Sequence, residues 1–253
     1  MSPFATASTS VGTNLISSPQ ARLAHGAGYT LYMCQKAMYR KALGASDEHV
    51  RDLTKMWAAG MRARLGLEVR GHGFDAIDWS KPYVLMANHQ SYLDVLALFS
   101  ALPKAFGVVA KKQLFAVPFF SGVMRAIGCV SVDRSKHVQA MAAMRAGAEA
   151  VRAGATIAIF PEGTRSSGDR VQPLKKGPFV LAQLAQVPLI PIGIRGTHAL
   201  MPLGNTGIRS GTIDIHAGAP IAPPAEGDFE ARQAVAASVR QAIAHLADVP
   251  MVD

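Results

Sequence analysis

The sequence predicts an α/β protein: a mixed, largely parallel central sheet covered by helices, preceded by a two-helix hairpin. Three observations carry this expectation. From Leu67 onward, short apolar runs alternate with longer stretches of helical character, the pattern that strand–helix units impose. Two of the runs, Val84-Leu85-Met86-Ala87 and Ile157-Ala158-Ile159-Phe160, are apolar at every position, as strands covered on both faces must be. The chain has 253 residues, 49% of them apolar and 17% charged, which suffices for a large core.

Taken in order, residues 1–27 are rich in Ser, Thr and Ala and have neither the charged start nor the apolar stretch of a signal peptide. A flexible leader is expected there. Residues 28–65 read as the hairpin. Its first helix, over about 28–43, is largely apolar, carries Lys36, Arg40 and Lys41, and meets a stop at Gly44. Its second begins after Ser46, a natural N-cap, with Asp47 and Glu48 in the first turn. Val50, Leu53, Trp57, Met61 and Leu65 recur at helical spacing, with Arg51, Lys55 and Arg62 opposite. Such a pair either packs on the domain as an ordinary hairpin or faces a membrane with a basic rim. Tyr29, Tyr32, Tyr39 and Trp57 suit a core and an interface equally.

Residues 66–253 form the main domain. Strands are expected at 67–70, 83–87, 106–110, 128–132, 155–160, 188–194 and 211–216, and helices at 92–101, 112–126, 137–153, 178–186 and 228–247. No stretch reaches the roughly 18–20 continuous apolar residues of a spanning helix. A role on lipid therefore means lying on the membrane.

A net charge of +9 favours anionic partners such as lipid headgroups or phosphorylated substrates. Nucleic acid is not expected, because no Lys/Arg run is interleaved with aromatics and no zinc spacing occurs. Cys34 and Cys129 lack CxxC spacing and sit among apolar residues. They read as two reduced, buried thiols of a cytosolic protein.

Polar residues cluster where the apolar strands end, which is where α/β proteins commonly hold their functional groups. Asn88-His89-Gln90-Ser91-Tyr92-Leu93-Asp94 follows one strand and opens a helix. A turn there can fold Asp94 back on His89, fixing the imidazole tautomer and leaving its other nitrogen as a base. Taken alone, the pair reads as readily as a turn histidine and a helix-start acid. Phe160-Pro161-Glu162-Gly163-Thr164-Arg165-Ser166 follows a second strand. Its Gly163 lets backbone approach a ligand, Arg165 can grip a phosphate with two donors, and Glu162 can orient an acceptor or hold Arg165. Arg134, in Ser131-Val132-Asp133-Arg134-Ser135, is a second phosphate candidate. Lys111 and Lys112 add charge at another strand end, and Lys175 and Lys176 follow the Glu162 loop.

In this order, Asn-His-x4-Asp, Ala-Lys-Lys-x-Leu, Val-Asp-Arg, Phe-Pro-Glu-Gly-Thr-Arg-Ser and Val-Pro-Leu-Ile-Pro-Ile, the segments closely resemble the glycerolipid acyltransferases that include bacterial 1-acyl-glycerol-3-phosphate acyltransferases. The resemblance covers about residues 65–220. It implies transfer of an acyl chain from a thioester to a glycerol hydroxyl, with no metal and no cofactor beyond an acyl-CoA or acyl carrier protein donor. His89 would be the base and Asp94 its orienting partner. Arg134, Glu162, Gly163, Thr164 and Arg165 match acceptor-binding positions, and Lys111 matches a lysine near the centre. Val187–Ile192 matches an acyl-pocket or core wall. The hairpin matches a membrane-docking element by position, which implies a peripheral or monotopic protein on an anionic surface, the cytoplasmic face of the inner membrane. Phe115, Val117, Phe119 and Phe120 could wall an acyl chain or simply fill a core. The acceptor could also be another lysolipid, such as lyso-ornithine lipid. Outside that reaction, a thioester hydrolase or a lipid-binding protein remains open.

Overall fold

The computed structural model describes residues 18–168 and 170–252. Helix α1, Pro19–Ala42, starts nine residues earlier than expected. Ser18 caps it, its Oγ accepting the Ala21 N–H at 3.1 Å, and Pro19 supplies a preset first-turn φ. The leader expected over 1–27 is therefore helical from Pro19, and its first 17 residues lie outside the described part. Helix α2, Asp47–Leu65, begins at the expected cap, where Ser46 Oγ accepts from His49 N–H at 3.2 Å, and ends at Gly66 in the left-handed region. Met33, Cys34 and Ala37 of α1 pack with Val50 and Leu53 of α2.

Seven strands form one sheet in the order β1-β7-β6-β2-β5-β3-β4. They are β1 (Leu67–His72), β2 (Val84–Ala87), β3 (Gly107–Lys111), β4 (Val130–Val132), β5 (Ile157–Ile159), β6 (Leu189–Arg195) and β7 (Gly211–Ala217). Strands β2 to β6 run parallel; β7 is antiparallel to β6, and β1 parallel to β7. This is the mixed, mainly parallel sheet expected.

Alternation along the central strands makes two cores. Val84, Met86, Ile157, Ile159 and Leu189 face α5 (His137–Arg152), α6 (Lys176–Ala185) and α8 (Phe229–Ala247). Leu85, Ala87, Ala158, Ile190 and Ile192 face α2 and α3 (Leu93–Ala101). The hairpin is thus part of the core on one face, through Ala58, Met61 and Leu65.

The helix expected over 112–126 is broken. Residues Lys112–Ala116 form a 3₁₀ turn, Val117 is extended, and α4 spans only Phe120–Ala126. Pro118 explains this: its ring disfavours helical backbone at Val117 and it has no N–H to continue a ladder. Phe119 takes φ 62 beside it. A four-residue helix, α7 (Thr197–Leu200), follows β6.

Because β2, β5, β3 and β4 are parallel, their carboxyl ends deliver Asn88–Asp94, Phe160–Ser166, Lys111 and Asp133–Ser135 to one edge of the sheet.

Candidate active site

The site begins with Asn88, which extends the β2–β6 pairing by its side chain. Its Oδ1 accepts the Ile194 N–H at 2.7 Å and its Nδ2 donates to the Ile194 carbonyl at 2.9 Å. The chain then turns, and the carboxylate of Asp94 collects the turn. Asp94 Oδ2 accepts the N–H of Gln90 (2.7 Å) and of Ser91 (2.9 Å) and meets His89 Nδ1 at 2.8 Å. Asp94 is fully buried in the first turn of α3, whose dipole favours the negative charge. The His89 side chain is 18% exposed, and its ring stacks on Phe160, centroids 4.0 Å apart. One nitrogen is committed to the acid, so Nε2 is the nitrogen left for a reacting hydroxyl.

The second loop grips the His89 peptide from both sides. Glu162 Oε1 accepts the His89 N–H at 2.7 Å, and Ser166 N–H donates to the His89 carbonyl at 2.7 Å. The other Glu162 oxygen accepts the Gln172 N–H at 3.0 Å. Glu162 is only 1% exposed, and burial pushes its carboxyl up to about 7 against the pull of these two N–H donors. Glu162 is thus a buried strut under His89, with both oxygens bonded to backbone.

Arg165 is also placed differently from a groove ligand. Its guanidinium stacks on Tyr92, 3.7 Å from the ring centroid, and Nη2 donates to the Tyr92 hydroxyl at 3.1 Å. Thr164 is exposed beside it. Lys111, Gln113, Val132, Asp133, Arg134, Ser135 and Gly163 instead line a groove of about 490 Å³. Strand pairing sets Lys111 against Val132, which brings the lysine near Arg134. Gly163 has φ 77, and a side chain there would meet Lys175 Cγ at 3.1 Å, so the groove wall needs glycine. Asp133 lines the same groove; its Oδ1 accepts from the Ser135 N–H and hydroxyl, and its Oδ2 lies 3.8 Å from Lys112 Nζ. Among the described residues no group of three His, Cys, Asp or Glu side chains could hold a metal ion.

Sequence reasoning missed the Glu162–Gln172 contact and the links from Ser91 Oγ to the Met201 carbonyl (2.8 Å) and from Gln90 Nε2 to the Gly168 carbonyl (3.2 Å). No local signal marks them. The ambiguous aromatics divide: Trp57 packs edge-on against Phe99, while Tyr32 and Tyr39 point outward. Val117 and Phe119 are exposed and Phe115 is half-buried, while Phe120 packs against the core between α1, α2 and α4. Leu189, Ile190 and Ile192 are core wall. Cys34 and Cys129 are free, and burial pushes both thiols up to about 11.

The fold and the site define an α/β protein with a carboxylate-oriented imidazole at the carboxyl ends of its strands, and a basic groove that reaches the Glu162 loop at Gly163. The chain belongs to the acyltransferase family: residues 68–195 match the family described as Acyltransferase. Similar proteins include the 1-acyl-sn-glycerol-3-phosphate acyltransferase of Saccharomyces cerevisiae, 38% identical over 144 residues, which are 56% of this chain and 47% of that protein. The chloroplastic enzyme BAT2 of Brassica napus is 37% identical over 50% of this chain and 37% of its own length. Human 1-acyl-sn-glycerol-3-phosphate acyltransferase beta is 32% identical over 54% of this chain and 49% of its own length. The chain thus spans less than half the length of each of these three curated relatives. The fold is that of the crystal structure of the 1-acyl-sn-glycerophosphate (LPA) acyltransferase PlsC from Thermotoga maritima, with TM-score 0.74 at 24% identity over 92% of this chain and 95% of that one.

Proposed function

We propose that the protein transfers a fatty acyl chain from an acyl thioester to the free sn-2 hydroxyl of 1-acyl-glycerol-3-phosphate, forming phosphatidic acid. The observation that carries this is the buried Asp94 on His89 Nδ1, next to a groove that presents Lys111 and Arg134. The acceptor hydroxyl gives its proton to His89 Nε2 as its oxygen bonds to the thioester carbon. The tetrahedral species then expels the thiolate, which takes the proton from the imidazolium. Asp94 stabilises that imidazolium and holds the tautomer. The acceptor phosphate carries about two negative charges, and each charge-assisted hydrogen bond to it contributes roughly 1.5–3 kcal/mol. The donor is an acyl-CoA or an acyl carrier protein; both are acidic, as the +9 charge favours.

Arg134→Ala is expected to raise KM for lysophosphatidate by about 10-fold or more, with kcat changed much less. The decisive comparison is with a monoacylglycerol, which lacks the phosphate. The preference for lysophosphatidate over it should collapse in the variant; an unchanged preference rejects the groove as the phosphate site. A matrix of thioester donors against lysophosphatidate and lyso-ornithine lipid, read by product mass, decides the acceptor. Arg165→Ala belongs in the same series, because rotation off Tyr92 is what would bring its charge to an acceptor.

The same reading places the protein on the cytoplasmic face of the cell membrane, peripheral or monotopic. No helix among the described residues is long and apolar enough to cross a bilayer. What supports docking is a set of exposed apolar residues: Leu31, Tyr32 and Tyr39 on α1, Leu43 just after it, and Leu114, Val117 and Phe119 near α4. The chain has no Asp or Glu before Asp47 and none between Asp94 and Asp133, so both segments carry only positive charge. Each such charge contributes about 1 kcal/mol at an anionic surface. Lys36→Glu with Arg40→Glu should weaken sedimentation with anionic vesicles about 10-fold or more. Binding equal to the unmodified protein rejects docking by α1. Removing the whole hairpin is a poorer test, since Ala58, Met61 and Leu65 belong to the core.

A further inference from the structure

Glu162 holds the His89 amide with one oxygen, so whatever fixes its other oxygen also fixes His89. That second partner is the N–H of Gln172. Gln172 follows Val171, a buried residue that forms a parallel bridge with Met251, in the segment after α8. The Val171 N–H donates to the Pro250 carbonyl at 2.9 Å, and the Val252 N–H donates to the Val171 carbonyl at 3.0 Å. Arg240, in α8, adds a cation to this bridge. Its Nη2 donates to the Val171 carbonyl at 3.3 Å and also to the Val252 carbonyl. Helix α8 is itself anchored, with Val239 and Ile243 fully buried against the sheet.

We infer that Arg240 and Pro250–Val252 are positioning elements of the active site. They fix Val171 and Gln172; the Gln172 amide fixes Glu162; the other Glu162 oxygen fixes the peptide that carries His89. Arg240 and Pro250–Val252 lie outside the residues that match the family, 68–195. The inference rests on the reading of His89 as the base.

The chain of contacts makes a demand on charge. Accepting two N–H groups, one on each oxygen, favours ionised Glu162; a protonated carboxyl accepts more weakly on its hydroxyl oxygen and must place an added O–H. The charged groups acting on Glu162 are Asp94 from α3, which opposes ionisation, and Arg240 from α8, which favours it. His89, bonded through its amide, is a further titratable neighbour. Burial raises the carboxyl to about 7, so uptake of a proton by Glu162 should add to the loss of free base at His89 as pH drops. Without the Arg240 charge, that uptake should come at higher pH.

The test measures kcat against pH, together with amide exchange at His89 and Gln172, in the full chain. Arg240→Gln is expected to lower kcat about 10-fold with little change in KM, as small misplacement of a catalytic group does. Its acidic limb should move to higher pH. Arg240→Lys keeps the charge and should return the limb to its original place. Val252→Pro removes one N–H donor and no charge; kcat should fall with the limb unmoved, and the His89 and Gln172 amides should exchange faster. Wild-type kcat and wild-type exchange at both amides in Arg240→Gln and Val252→Pro overturn the inference. So does faster exchange throughout the chain with no shift of the limb, which marks a structural role alone. Wild-type turnover on the same substrates tests the acyl-transfer reading separately, and the exchange measurement does not depend on it.

Discussion

His89→Ala is expected to lower kcat for acyl transfer by about 10²- to 10⁴-fold, the usual contribution of a positioned general base. KM for both substrates should change much less, because the proton transfer strengthens only in the transition state. The fold should survive. The ring lies at the sheet edge with 18% of its side chain exposed, and the peptide around it is held by Glu162, Ser166 and Asp94 whatever the side chain. Loss of the stack on Phe160 costs about 0.5–1.5 kcal/mol, too little to unfold a domain. Product mass gives the readout. Full ester formation by His89→Ala rejects the mechanism. Free fatty acid without new ester from the unmodified protein favours a hydrolase, with water in place of the acceptor.

Asp94→Asn should cost kcat a comparable factor, about 10²- to 10⁴-fold, for a different reason. Asp94 Oδ2 alone receives Gln90 N–H, Ser91 N–H and His89 Nδ1, while Oδ1 is buried without a partner. An asparagine oxygen in the Oδ2 position keeps these three contacts. Its NH₂ group then occupies the partnerless position, an unsatisfied buried donor that costs about 1–3 kcal/mol of stability. What no amide replaces is the charge that stabilises the imidazolium. The variant is thus expected to fold, with a lower melting temperature, and to bind substrates while turning over slowly. Near-normal kcat in a folded Asp94→Asn protein would remove the carboxylate from the mechanism.

The contact between these two residues is legible in the sequence because they are five positions apart: one turn joins them, and turn geometry is local. Glu162 is legible as a polar residue at a strand end, but its contacts are not. Its partners His89 and Gln172 stand 73 and 10 residues away, and nothing in spacing says that both of its oxygens meet backbone. The expected helix over 112–126 failed on a signal that was present: Pro118 ends helical backbone locally, while the apolar content around it suggested continuity. The start of α1 failed in the opposite sense. Residues 19–27 show little apolar periodicity, so their helix rests on the Ser18 cap, Pro19 and packing, including the Ile208 N–H that donates to the Pro19 carbonyl at 2.9 Å.

The sequence by itself determined the alternation of strands and helices, the two all-apolar central strands and the gathering of polar loops at their ends. These follow from local periodicity and turn chemistry, which each segment carries alone. Only the tertiary structure decided which loop supports which. Parallel pairing of β2 with β5 sets the His89 and Glu162 loops side by side, β3 beside β4 makes the basic groove, and the Val171–Met251 bridge ties the Glu162 loop to the segment after α8. Such contacts join residues tens of positions apart. They are set by how whole elements bury their apolar faces, a condition that no single segment of the chain expresses.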